Sequence, residues 1–244
     1  MPGRSGRAAR LVDSRNWNFG WCSRKIAVDN VEEVGLGFVV AITGASGAVY
    51  GRRLVQLLAE AGRDVHLVIS PNGALVMRDE LRIGAPTADA FTKSAADRVS
   101  IHAYDDVGCE LASGSFPSDG MIVCPCSSNT LAGIANGLAG NLITRAAAVT
   151  LKERRRLVLC PREMPLSPID VANMYRASQA GVVVCPASPA FYMSPASIEE
   201  LVDFVAGRLL DLMGVEHRLH TRWAQQLAER RQRGASQTPR RAPQ

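Results

Sequence analysis

The sequence predicts a doubly wound α/β domain: a six-stranded parallel sheet in a three-layer α/β/α arrangement. Three observations carry this. Six short runs rich in Val, Ile and Leu recur between residues 38 and 186, continuous rather than alternating, as strands buried on both faces are. Segments with helical apolar spacing separate these runs. Turns rich in Gly, Ser and Pro follow the strands, where parallel sheets of this class bind ligands.

The elements follow in order. Phe38–Thr43 (FVVAIT) is the first strand, and a glycine-rich turn leads into a helix from about Val49 to Ala61 with Leu54, Leu57 and Leu58 on one side. Val65–Ser70 (VHLVIS) is the second strand and Pro71–Leu81 the next helix. Val99–Tyr104 is a weak third strand, and Met121–Cys126 (MIVCPC) a fourth. Thr130–Leu138 and Leu142–Arg154 read as helices separated by Ala139-Gly140-Asn141. Leu157–Pro161 is the fifth strand, Ile169–Ala180 a helix and Val182–Pro186 the sixth strand. Ser197–Met213 is the clearest helix. Its stripe is Ile198, Leu201, Val202, Val205, Leu209 and Leu212, and Ser197 and Glu200 are spaced as a capping box.

Composition narrows the class of function. The chain has 244 residues, 47% hydrophobic and 21% charged, enough apolar content for one well-filled core. The net charge is +5, but residues 1–35 carry +2 and residues 222–244 carry +5. The body is therefore at −2, which argues against nucleic-acid binding by the folded part. No apolar run of about 18 residues suggests a membrane span, and no secretory h-region is present. Residues 1–35 read as a disordered extension, residues 36–225 as the domain, and residues 226–244 as an Arg-rich disordered tail. The six Cys show no CxxC or Cys/His zinc spacing. Reduced thiols in a cytoplasmic protein are expected. His66, His102, His217 and His220 form no recognisable triad or metal set in sequence.

The strand ends carry the chemistry. Gly44-Ala45-Ser46-Gly47 after the first strand lets backbone approach a ligand closely, and the helix that follows favours an anion. The spacing of Gly44, Gly47 and Gly51 does not match the dinucleotide fingerprint. The second strand ends in Ser70 with no acid to hold a ribose diol, so a mononucleotide is expected rather than NAD. Ser127-Ser128-Asn129-Thr130 after the fourth strand places hydroxyls and an amide at a helix N-terminus. Arg162-Glu163 puts charge at the end of a buried strand. Phe191-Tyr192 offers aromatic faces beyond the sixth. These residues point to a mononucleotide site with a second anion pocket built from Arg and Lys.

At this point the chain resembles the UbiX-type flavin prenyltransferases, within the larger family of flavoproteins related to flavin-containing cysteine decarboxylases. The resemblance rests on Thr43–Gly51 (TGASGAVYG), Ser113–Phe116 (SGSF), Cys124–Thr130 (CPCSSNT), Asn141–Arg155 (NLITRAAAVTLKERR), Leu157–Pro165 (LVLCPREMP) and Pro189–Tyr192 (PAFY). It implies a Rossmann-like, FMN-binding fold and a transferase. Such an enzyme moves a dimethylallyl group from dimethylallyl phosphate to N5 and then C6 of reduced FMN. It further implies no metal, a dodecamer with sites between subunits, and a UbiD-type decarboxylase that takes the prenylated FMN, in quinone biosynthesis or aromatic degradation.

Carried over motif by motif, the resemblance gives Gly44, Ala45, Ser46, Ser70, Ser127, Ser128, Asn129, Thr130 and Arg162 to FMN. Tyr192 and Arg208 match contacts to dimethylallyl phosphate, and Trp223 a C-terminal aromatic that closes over the pocket. Arg145, Lys152 and Glu163 match the polar cluster around the leaving phosphate, with Glu163 as general acid. Glu80 matches a carboxylate supplied to a neighbouring subunit, and Ser46 a hydroxyl near flavin N5. Arg154 to Arg156 read as a solvated or interfacial stretch. The alternative is an FMN-dependent aromatic-acid or cysteine-type carboxy-lyase. The cysteine type carries a catalytic His just before the fourth strand, and Glu110–Asp119 contains none.

Overall fold

The computed structural model describes residues 36–219, all within one compact unit. The N-terminal extension, Trp223 and the Arg-rich tail lie outside the described residues. The strands are β1 (Phe38–Ile42), β2 (Val65–Ile69), β3 (Val99–His102), β4 (Gly120–Cys126), β5 (Arg156–Pro161) and β6 (Val183–Val184). The helices are α1 (Ala48–Glu60), α2 (Pro71–Leu81), α3 (Ala88–Phe91), α4 (Ser128–Ala135), α5 (Leu142–Lys152), α6 (Pro168–Gln179) and α7 (Ile198–Met213). All strand pairs are parallel, in the order β3-β2-β1-β4-β5-β6.

The pattern that predicted strands is the pattern of their burial. Every residue of β1 and β4 is buried, because helices cover both faces of the sheet. On one face Val40, Ile42, Ile122 and Val158 pack with Leu54 and Leu58 of α1 and with Val205 and Leu209 of α7. On the other, Val39, Ala41, Met121 and Leu157 pack with Leu131 of α4, Ala146 of α5 and Ala177 of α6. The strand order reverses between β1 and β4. Crossovers leave these two strands in opposite directions, so a crevice opens at their carboxyl ends.

Several boundaries move for identifiable reasons. Helix α4 begins at Ser128 rather than Thr130, since Ser127 caps it by accepting from the Thr130 N–H at 3.3 Å. It stops at Ala135, before Gly137 with φ 71°. The sixth strand shrinks to Val183–Val184 at the sheet edge. Pro186 has no N–H, although Cys185 N and Ala187 N still donate to Leu159 O and Pro161 O of β5. The expected capping box of α7 is only half formed. Ser197 accepts from the Glu200 N–H at 3.3 Å, but the Glu200 carboxylate takes the N–H of Ala196 at 2.9 Å.

Arg155 does not belong to a solvated stretch. It is half-buried, and its guanidinium donates to Phe116 O at 2.7 Å and Gly114 O at 2.9 Å, fastening the Ser113–Phe116 turn to the start of β5.

Candidate active site

The crevice is built where Pro125 interrupts β4. A proline in a central strand removes a ladder donor, and the β4–β5 register shifts between Val123 and Cys126. The carbonyl of Pro125 then accepts from Thr43 Oγ1 at 2.8 Å and from Thr43 N at 3.2 Å. Thr43 Oγ1 in turn accepts from Ser127 N at 2.8 Å. Thr43, fully buried, thereby ties the glycine turn after β1 to the hydroxyl-rich turn after β4. Reading the sequence for charge and glycine missed Thr43. Its signal was a polar residue closing an apolar strand.

The glycine turn is tight for stated reasons. A Cβ on Gly44 would lie 2.4 Å from Asn72 Cβ, and one on Gly47 would meet the Tyr50 ring at 2.9 Å. Gly47 also has φ 104°, a left-handed conformation that glycine adopts without strain. The N–H groups of Gly47 and Ala48 point at the Glu80 carboxylate, at 3.0 and 2.9 Å. So the anion at the N-terminus of α1 is Glu80 of the same chain, and the charge complements the helix dipole. That N-terminus was expected to attract a ligand's phosphate or flavin. The resemblance assigns Glu80 to a neighbouring subunit's site, whereas within its own chain it caps α1.

The N-terminus of α4 differs. The N–H groups of Ser128 and Asn129, the first two of the helix, have no acceptor among the described residues. The hydroxyls of Ser127, Ser128 and Thr130 surround them. Ser70 caps α2 through the Gly73 N–H at 3.0 Å, and its own N–H donates to Ile42 O, so it stands directly beside the end of β1. Arg162, just past β5, donates from Nε to Ser46 O at 2.9 Å. Glu163 accepts from Ser128 Oγ at 3.3 Å and from Met164 N at 3.2 Å. Tyr50 adds a phenol whose pKa is pushed up by burial and by the neighbouring Cys160 and Cys124 thiols, so it stays protonated at neutral pH.

Gly44, Ala45, Ser46, Ser70, Glu80, Ser127, Ser128, Asn129, Thr130, Arg162 and Glu163 thus gather at one crevice. Tyr192, Arg208, Arg145 and Lys152 take other partners within the chain, and Trp223 lies outside the described residues. Tyr192 sits beyond β6 with its ring edge-on to Phe204 of α7, centroids 6.2 Å apart. Arg208 lies one turn further along α7 and pairs with Asp211 at 2.9 Å. Arg145, one turn into α5, donates from Nε to Ala112 O at 3.1 Å. Lys152 closes α5, 3.7 Å from Glu153, just before β5 begins. Strand β5 rises roughly 17 Å from that end to the crevice. One chain therefore holds Lys152 and Glu163 at opposite ends of the sheet.

The crevice fits a flavin mononucleotide on its own chemistry. Free N–H donors and hydroxyls at α4 suit a phosphate or a ring edge. Gly44 and Gly47 let the turn pack tightly against Asn72 and Tyr50, which keeps its backbone low beside the crevice. The guanidinium of Arg162 adds positive charge at the mouth. Cys124 and Cys126 are buried, and their thiols are pushed up; Cys124 by its hydrogen bond to Cys160 and then by burial, Cys126 by burial. They stay protonated and inert, as small core residues.

Comparison with known proteins agrees with this reading. The Flavoprotein family model matches residues 28–210. The chain is 48% identical over 193 residues to the flavin prenyltransferase UbiX of Halalkalibacterium halodurans, covering 78% of this chain and 94% of the relative. It is 43% identical over 195 residues to UbiX of Pseudomonas aeruginosa, covering 77% and 93%. Among solved structures, AnUbiX (PadA1) in complex with FMN and dimethylallyl pyrophosphate aligns with a TM-score of 0.66 at 43% identity, over 74% of this chain and 95% of that one. The dodecameric FMN-dependent UbiX-like decarboxylase from Escherichia coli O157:H7 aligns with a TM-score of 0.70 at 43% identity, over 77% and 98%. A glycine turn, a hydroxyl-ringed helix terminus and an Arg-Glu pair at one switch point, with identity sustained across the whole domain, place the chain in the Flavoprotein family, among the UbiX flavin prenyltransferases.

Proposed function

We infer that the protein transfers a dimethylallyl group from dimethylallyl phosphate to reduced FMN. The observation that carries this is the convergence of Ser46, Arg162 and Glu163 with the open N-terminus of α4. Reduced FMN, when bound, supplies the nucleophilic N5 and C6 positions. The residues of the chain supply binding, charge and a proton. Ser127 to Thr130 and Ser70 hold the mononucleotide, and the glycine turn keeps Ser46 against its ring. As the allylic C–O bond breaks, the electron pair leaves with phosphate and positive charge develops on carbon. The face of Tyr192 favours that cation. Arg208, Arg145 and Lys152 favour the departing phosphate, and Glu163 delivers a proton to it. Identity to flavin prenyltransferases over nearly their whole length makes prenyl transfer a better reading than a carboxy-lyase.

The test is direct. Protein, FMN, dimethylallyl phosphate and a reductant are incubated anaerobically, and the flavin is weighed by mass spectrometry. A mass gain of one dimethylallyl unit is expected. Unmodified flavin, with FMN still bound, would sink the inference.

Because Lys152 lies away from Glu163 in one chain, the working site is composite, assembled from copies of the chain. One helix, apolar on both of its exposed flanks, supports this. Ile169, Val171 and Tyr175 of α6, with Met164 before it, are 54% to 86% exposed, an unusual density for a free surface. A closed assembly, a dodecamer as in the Escherichia coli relative, covers it. Ile169→Asp is expected to give a smaller species by light scattering and to cut prenylation at least tenfold, about the penalty of forcing a charge into an interface. Unchanged mass and rate would refute this role for α6. The product passes to a UbiD-type decarboxylase. Among the described residues no helix is long and apolar enough to cross a membrane.

A further inference from the structure

We propose that the chain carries a binding site for a first-row divalent cation, formed by His66 Nδ1, His102 Nε2 and the carboxylate of Glu110. The site is separate from the flavin crevice and takes no part in prenyl transfer.

Sheet register creates it. Strands β2 and β3 pair with His66 opposite Ser100 and Val68 opposite His102. His66 and His102 therefore share one face of the sheet and stand diagonally across neighbouring strands, close enough for long side chains to touch. Their nitrogens, His66 Nδ1 and His102 Nε2, are 3.2 Å apart. Two ligand nitrogens about 2.0–2.1 Å from one tetrahedral ion would lie roughly 3.3 Å apart. The 3-10 turn Glu110–Ala112 then brings in the third group. One ligand atom each from His66, His102 and Glu110 lie within 4.8 Å of one another. Glu110 is exposed, so a rotation of its side chain closes the remaining distance and leaves an entry path.

The surroundings hold the rings as metal ligands are usually held. The other nitrogen of His102, Nδ1, is 3.3 Å from Cys109 Sγ. Donating its proton there leaves Nε2 with a free lone pair, the outer-shell contact that fixes a ligating tautomer. Phe116 buttresses His66 edge-on, centroids 4.9 Å apart. Burial, together with His102, pushes the pKa of His66 down, and burial pushes His102 down. On binding, the proton shared between the two rings moves to His66 Nε2, and the ion takes its place. Two imidazoles and one carboxylate suit zinc, cobalt or nickel better than magnesium or calcium. The ion would tie edge strand β3 to the 3-10 turn Glu110–Ala112.

Flavin-loaded full-length protein is dialysed against zinc chloride, and bound zinc is counted by mass spectrometry alongside the melting temperature. One zinc per chain and a raised melting temperature are expected. His102→Asn should lose the zinc and the shift, and Glu110→Gln, an exposed substitution that leaves the core untouched, should weaken binding at least tenfold. Cys109→Ser keeps all three ligands and should retain the zinc. Equal zinc on wild type and on folded Glu110→Gln, or loss of zinc only in Cys109→Ser, overturns the ligand set. No zinc on the wild type overturns the site. None of these outcomes bears on prenyl transfer, which is read separately from the flavin mass.

Discussion

Glu163→Gln should slow prenyl transfer about 100- to 10,000-fold, the usual worth of a positioned general acid, while FMN still binds. The side chain is held at the crevice by Ser128 Oγ and Met164 N. Glutamine keeps the shape and an acceptor oxygen but cannot release a proton to phosphate. Lys152→Ala should lose activity comparably, by removing a charge from the leaving group. The two substitutions differ in what mixing does. Lys152 and Glu163 sit at opposite ends of one chain's sheet, so a working site takes one from each of two copies. Mixed assemblies of the two inactive proteins should therefore contain some intact sites and recover part of the activity. Single-turnover rates on reduced FMN, followed by flavin mass, measure both effects. Wild-type rates for the single variants would remove Glu163 and Lys152 from the chemistry. Inactive mixtures would instead place both in one chain's site.

Gly51→Val should cost about 3 kcal/mol or more, at or above the upper end for overpacking a core, and should weaken FMN binding as well. Gly51 is buried in the first turns of α1, where the helix crosses the sheet at the switch point. A Cβ there would stand 2.3 Å from the carbonyl oxygen of Cys124 and 3.0 Å from Ile42 Cγ1. The obstacle is backbone, which cannot rotate aside. Helix α1 would have to lift from β1 and β4, and the crevice lies between the ends of those two strands. Urea midpoints measure the first effect and flavin fluorescence titration the second. A midpoint within error of wild type would show that α1 can shift without loss.

Much of the fold was legible because burial on both faces writes itself into composition. The FVVAIT and LVLCP runs admit little except central parallel strands, and the six expected strands are the six observed. Edges were less legible. A two-residue β6 depends on where its partner ends, and the start of α4 depends on which hydroxyl turns inward. Half the candidate site was visible for a related reason. In a doubly wound sheet every carboxyl end points to the same crevice, so residues after β1, β4 and β5 must converge. The contacts that Glu80 and Arg155 make within the chain were not legible, since a charged side chain on a helix or turn has no such rule. One caps a neighbouring helix and the other fastens a turn.

By itself, then, the sequence determined the layers and the strand-end turns that line the crevice, because periodicity and chain direction are local properties. Only the tertiary structure decided which distant groups meet. His66 and His102 are 36 residues apart and become neighbours through the β2–β3 register. Lys152 and Glu163 are 11 residues apart and are separated by the length of β5. Sequence distance and spatial distance part company wherever a strand or its pairing intervenes, since a strand carries its ends apart while its hydrogen bonds bring unrelated segments together.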